Sequence, residues 1–329
     1  MQVDTRPDTM TNIASYFQVS SAKLQRHYKH QISGYKQWEQ FAHADDYLIF
    51  PENITEHISI DEVSLSKGEL YTIVTNKNTA CKNKQSLIAI MNGTSAASIE
   101  SVLSKIHISQ RNKVKEISMD MAPNMGLAAR HSFINSTAVI DRFHVVRLVC
   151  DAMQHLRTKL RWQEIDNENN ALKEAKESGV KYKTAPLSNG DTRKELLVRG
   201  KYLLYKHEDD WTLHQKKRAE LLFTIYPELQ VAYKLCMSFR NIYKCVDKQQ
   251  ALRKLMEWKT KVLNAKIKEF NTVINSIEHH LENILNFFNN RNTNANAESF
   301  NSKIKNFRAN LRGVTDVKFF LFRLQKLFA

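Results

Sequence analysis

The chain has 329 residues, 42% of them hydrophobic, with 49 Lys and Arg against 34 Asp and Glu for a net charge of +15. That length supports a sizeable core and more than one lobe, and a charge this positive argues for an anionic partner, nucleic acid first among them. With 8 Gly and 5 Pro the composition favours helix-rich structure over an all-β one.

Cys81, Cys150, Cys236 and Cys245 form no C-x-x-C pair and no Cys/His grouping with zinc spacing, which fits a reduced interior. No run approaches the roughly 18 apolar residues of a membrane span, and the N-terminal stretch lacks a signal peptide's apolar core. A cytoplasmic protein with no membrane partner is the expectation.

The first 50 residues predict a small helical module. A short helix over residues 11–17, a turn at Gln18 and Val19, and a second helix capped by Ser20 or Ser21 suit a helix-turn-helix. Lys23 and Arg26 on the second helix would then reach DNA, although the usual turn glycine is missing and a packing role is equally open.

From His57 the periodicity changes to strands. Residues 57–65, 69–75 and 85–91 read as the first three, with Lys67-Gly68 turning a hairpin between the first two. A helix over 96–106 follows, then a fourth strand over 114–119 that ends at Asp120. Pro123 opens another helix, and a fifth strand over 137–140 ends at Asp141 before a helix from Arg142 to about Trp162. This is the element order of an RNase H-like mixed sheet, in which the first strand is central and the fourth lies beside it.

Asp61 sits in the middle of the first strand, between Ile58, Ile60, Val63 and Leu65. A carboxylate there is costly to bury unless paired, hydrogen-bonded or bound to a metal; the plainer alternative is a solvated strand residue. The predicted topology makes Asp61 and Asp120 neighbours. Residues 163–288 show helical patterns without a strand series and read as a helical insertion. An asparagine-rich loop then feeds a helix that starts near Ala295, with Glu298 and Asn301 on one face and Phe300, Ile304 and Phe307 toward a core. A lone Glu near a helix start is ordinarily favourable dipole chemistry.

Four stretches together resemble the ISL3-type insertion-sequence transposases, and a subgroup of them found in Bacteroidetes. They are Ser59-Ile-Asp-Glu62, Ser118-Met-Asp-Met-Ala-Pro-Asn124, Ala138-Val-Ile-Asp-Arg-Phe-His-Val-Val-Arg147 and Asn294-Ala-Asn-Ala-Glu-Ser-Phe-Asn-Ser-Lys-Ile-Lys305. The resemblance implies an RNase H-like core, a D-D-E triad of Asp61, Asp120 and Glu298, and two Mg²⁺ or Mn²⁺ ions for cleaving element ends and joining them to target DNA. Asp141 is the competing second ligand; with His144 it is otherwise expected to support the site. Arg142, Lys303, Lys305, Arg308 and Arg312 would hold DNA phosphates. The N-terminal cysteine module of full-length members is missing here, and in that subgroup an N-terminal region is often a separate reading frame. A separately encoded partner, a homo-oligomer on the terminal inverted repeats, or a truncated and inactive DNA-binding copy are therefore further expectations.

Overall fold

The computed structural model describes residues 2–65, 68–77, 86–291, 295–311 and 313–329. Contacts divide the chain into two compact units, Met1–Asp141 with Asn290–Ala329, and Arg142–Asn289.

The first unit is built on a sheet of β1 (Tyr47–Ile49), β2 (His57–Ser64), β3 (Leu70–Asn76), β4 (Leu87–Asn92), β5 (Glu116–Met119) and β6 (Thr137–Ile140). Its spatial order among the described residues is β1-β4-β3-β2-β5-β6. β2 pairs antiparallel with β3 and parallel with β5, and β5 pairs parallel with β6. The expected adjacency of the first and fourth core strands is therefore present, in an order consistent with an RNase H-like sheet. β1 extends the far edge by pairing antiparallel with β4; three residues are too short for an alternation signal, and the sequence reading missed it.

Side chains alternate across β2, and each face has its own cover. Ile58 and Ile60 join Val74, Ile88, Ile117 and Met119 in one core cluster. Ile99 and Leu103 of α4 (Ala96–Leu103) and Met125 and Ala128 of α6 (Pro123–Ser132) complete it. The opposite face carries Val63, Ile73 and Ile90, packed with Phe300, Ile304 and Phe307 of α15 (Ala295–Asn310) and with Phe320 and Leu324 of α16 (Val317–Phe328). α15 starts where the sequence placed it, and its three expected core residues are buried.

The N-terminal segment packs into this second core. α1 (Gln2–Thr5), α2 (Met10–Tyr16) and α3 (Ser21–His27) contribute or flank Val3, Met10, Ile13 and Tyr28 of the same cluster as α16. Thr9 and Ser20 cap α2 and α3, and Gln18 makes the turn between them with φ 54°, the left-handed conformation that a glycine would adopt more readily. Asp316 caps α16 by accepting from the Phe319 N–H at 2.9 Å, and Lys29 forms an ion pair with the same carboxylate.

Among the described residues of the second unit, the regular elements are all helices. α5 (Ile108–Arg111) precedes β5 in the first unit, and α7 (Arg142–Glu177) opens the second. α7 runs 36 residues, well past Trp162. From Gln163 to Glu177 it carries four Glu, two Lys and two Ala, good helix formers, beside three Asn and with no apolar stripe, and Gly179 with φ 64° stands beyond its end. α8 (Arg193–Arg199), α9 (Leu213–Ile225), α10 (Pro227–Ile242), α11 (Lys248–Ala265), α12 (Asn271–His279), α13 (Leu281–Leu285) and α14 (Phe287–Asn290) follow. α11 ends at Ala265, where Lys266 takes φ 53°. Trp258 donates from Nε1 to the Leu235 carbonyl at 2.9 Å and ties α11 to α10. Cys150, Cys236 and Cys245 are buried and unbridged, and Cys81 lies outside the described residues. No helix among the described residues is long and apolar enough to cross a membrane.

Candidate active site

The β2–β5 register runs His57 to Glu116, Ile58 to Ile117 and Ser59 to Ser118. Carried two residues further, it sets Asp61 opposite Asp120. The β5–β6 register ends with Met119 opposite Ile140, so the next position sets Asp120 opposite Asp141. The Asp141 N–H donates to the Met119 carbonyl at 2.9 Å and continues that ladder. Three aspartates thus stand in one row near the carboxyl ends of three adjacent parallel strands, about 4.8 Å from strand to strand. That end of an open α/β sheet is where ligands bind.

Each carboxylate is held differently. Asp61 is half-buried; its Oδ1 accepts from the Glu62 N–H at 2.8 Å and its Oδ2 from Asn301 Nδ2 at 2.6 Å. Asp120, also half-buried, accepts from the Ala122 N–H at 2.8 Å, which shapes the turn into α6 ahead of Pro123. Asp141 is 2% exposed. Glu298 is half-buried in the first turn of α15, and one of its carboxylate oxygens lies within 4.8 Å of one from Asp141.

Glu62 adds a carboxylate that the sequence reading passed over. Burial, then the Asp120 and Asp61 charges, push its carboxyl above the ordinary value, which places it electrostatically beside both. Lys77 was missed as well. It follows the last residue of β3 in a polar stretch that reads as solvated loop, yet its Nζ donates to Ser118 Oγ at 2.5 Å. The Asp-Glu pair in an apolar strand was a visible signal for Glu62; for Lys77 there was none.

The remaining expected residues divide. Lys303 and Lys305 are exposed on α15, and Lys23 and Arg26 are exposed on α3. Arg312 lies outside the described residues. Arg142 and His144 belong to the first turn of α7 in the second unit, where Arg142 lies 6.0 Å from the Phe287 ring centroid and His144 meets Phe143 edge to face. Arg308 requires a correction. It is 5% exposed, donates from Nη2 to both Glu69 oxygens at 2.9 and 2.6 Å, and lies 5.1 Å from the Phe320 ring centroid. Its charge is used inside the core, so it is not a surface contact for phosphate.

A mixed sheet in this order, with acidic residues at its parallel strand ends and a glutamate helix packed on one face, is consistent with the RNase H-like class of transposases. The profile of the ISL3-type DDE transposase family, described as a transposase, matches residues 58–324, and the chain belongs to that family. Among curated proteins, none matches this chain. Family membership implies DNA as the substrate.

Proposed function

We propose that the chain is an insertion-sequence transposase that cuts DNA at element ends and joins the freed 3′-OH ends to target DNA, with two divalent ions at Asp61, Asp120 and Glu298. The observation that carries this reading is the row Asp61–Asp120–Asp141, with α15 bringing Glu298 beside Asp141.

The donors fit hard ions such as Mg²⁺ or Mn²⁺, since all are carboxylate oxygens. Two oxygens on one Mg²⁺ stand at most about 4.2 Å apart, so Asp141 and Glu298, held within 4.8 Å, need little side-chain rotation to share one, which bears on the second reading below. When bound, the ions would supply charge stabilisation to the attacking and leaving oxygens of an in-line displacement. In this reading Asp61, Asp120 and Glu298 would together hold the ions. The Glu62 and Ala122 N–H groups and the Asn301 amide fix the Asp61 and Asp120 rotamers, which leaves less to reorganise when substrate arrives.

Asp120 is preferred over Asp141 because it is half-exposed and next to Asp61, whereas Asp141 is buried and backs Glu298. The second reading, with Asp141 as ligand in place of Asp120, is favoured by its closeness to Glu298. Lys23 and Arg26, with Arg142, Lys303 and Lys305, supply phosphate contacts. The inverted repeats, a homo-oligomer, a separately encoded N-terminal partner and a cytoplasmic place of action complete the proposal.

The test is cleavage and joining of a labelled element-end duplex with Mg²⁺ or Mn²⁺, comparing wild type with Asp61→Ala, Asp120→Ala, Asp141→Ala and Glu298→Ala. Loss of both reactions in the Asp61, Asp120 and Glu298 variants, with DNA binding retained, is expected. An active Asp120→Ala beside a dead Asp141→Ala would transfer the second ligand to Asp141. Cutting without joining would make the protein a nuclease. A wild type that binds and never cuts, even with the neighbouring frame's product added, would leave an inactive DNA-binding copy.

A further inference from the structure

Below the aspartate row, the same face of the sheet holds a cation that the chemistry proposed above does not use. His57, Ser59 and Asp61 alternate along one face of β2, and Glu116, Ser118 and, by continuation, Asp120 stand beside them on β5. The face therefore descends from three carboxylates through a serine layer to a charged layer. Ser59 Oγ and Thr75 Oγ1 are 2.7 Å apart, and Ser118 is fully buried. Glu116, 3% exposed, accepts from Asn290 Nδ2 at 2.8 Å, with His57 Nδ1 at 3.9 Å from its other oxygen.

Lys77 enters this stack from the end of β3. Its N–H donates to the His57 carbonyl at 2.9 Å, and its Nζ reaches Ser118 Oγ at 2.5 Å. Residues on one face of a strand repeat every 6.6–6.8 Å or so, which sets the ammonium about one step below the carboxylate row. Burial pulls the lysine's proton affinity down, and the charges of Glu116 and Asp141 oppose that fall. Among the described residues, the charges acting on it are those of Glu116 below and Asp141 above, with His57 beside Glu116.

Three carboxylates abreast, with Glu298 against the third, repel one another in the absence of bound cations. A solvent-exposed lysine would do little about this, because water screens it. An ammonium held by a fully buried hydroxyl beneath the row acts through protein instead. We propose that Lys77 is a positioning residue whose ammonium offsets the repulsion within the row and keeps Asp61, Asp120 and Asp141 assembled before divalent ions bind. The inference rests on the acidic row being a cation site.

A built-in positive charge and a bound divalent ion then compete to neutralise the same carboxylates, so removing one strengthens the effect of the other. The experiment is thermal unfolding of the full chain in EDTA and in saturating Mn²⁺ or Mg²⁺, for wild type, Lys77→Met, Lys77→Arg and Ser118→Ala. Lys77→Met is expected to melt lower than wild type in EDTA and to gain more from metal than wild type gains. Lys77→Arg should restore both values toward wild type. Ser118→Ala keeps the charge and frees its position; it should shift in the same direction as Lys77→Met by less, and it is read in its place should Lys77→Met not fold. Equal metal-induced rises in wild type and Lys77→Met, or in wild type and Ser118→Ala where that variant is read, would overturn this inference alone. A wild type whose melting ignores both metals would remove the cation-site reading and this inference with it.

Discussion

Asn301 and Asp61, 240 positions apart in the sequence, are joined by a 2.6 Å hydrogen bond from the amide Nδ2 to the carboxylate Oδ2. Asn301 is 7% exposed and lies three residues after Glu298, so this bond fixes which turn of α15 sits over β2 and therefore where Glu298 is presented. A hydrogen bond to a charged group contributes about 1.5–3 kcal/mol, and the partner left behind loses its solvation. Asn301→Ala is expected to lower stability by about 2 kcal/mol in chemical denaturation and to reduce strand cleavage with DNA binding retained. Asn301→Asp should be worse in both, since it sets a carboxylate against Asp61. Full activity in Asn301→Ala would show that the anchor is dispensable.

The Arg308–Glu69 pair makes a second prediction, because it separates a core cation from a DNA contact. The arginine side chain is 5% exposed and the glutamate 26%. Truncating one partner of a buried pair costs roughly 3–5 kcal/mol, chiefly through the charge left behind; Glu69's partial exposure puts this pair toward the lower end. Arg308→Ala should thus destabilise by about 3 kcal/mol, while the folded fraction keeps the wild-type salt dependence of DNA binding. A changed salt slope at unchanged stability would return Arg308 to the DNA-contact group.

Asp316 gives the pH prediction. Burial alone would raise its carboxyl, but the Lys29 ammonium, the Phe319 N–H and the Tyr35 hydroxyl outweigh this and hold it below the ordinary 3.8. A carboxyl depressed in the folded state contributes stability that is present above its unfolded pKa and is lost as pH falls through its folded pKa. Wild type should therefore lose stability steeply as pH drops below about 4, from this group among others. Asp316→Asn keeps a capping side chain and removes the titration, so its stability should fall less over the same range. Parallel acid limbs in thermal melts of the two proteins would refute this.

What the sequence revealed and what it concealed follow from range. Alternation along residues 57–65 exposed β2 and the odd carboxylate within it, and strand endings at Asp120 and Asp141 were local signals too. The N-cap at Ser20 and the proline opening α6 were equally local, and both are present. The destination of Lys77 was not legible, because nothing near residue 77 announces that its ammonium crosses β2 to Ser118. Arg308 misled for the same reason: its partner Glu69 lies 239 residues away, so a basic helix residue read as a phosphate contact. The second half of α7 was hidden because a polar helix without an apolar stripe gives periodicity nothing to detect.

Lys303 and Lys305 are exposed on the helix that carries Glu298, five and seven residues beyond it. If each meets a phosphate, each releases about one counterion on binding, and the slope of log affinity against log salt changes by about 0.9 per contact. Lys303→Gln with Lys305→Gln should thus reduce the slope by about 1.8 and weaken binding similarly for element-end and unrelated duplexes. Fluorescence anisotropy titrations at several salt concentrations measure this directly. An unchanged slope would mean that the lysines only solvate the helix, and a loss confined to the element end would mean that they read sequence rather than backbone.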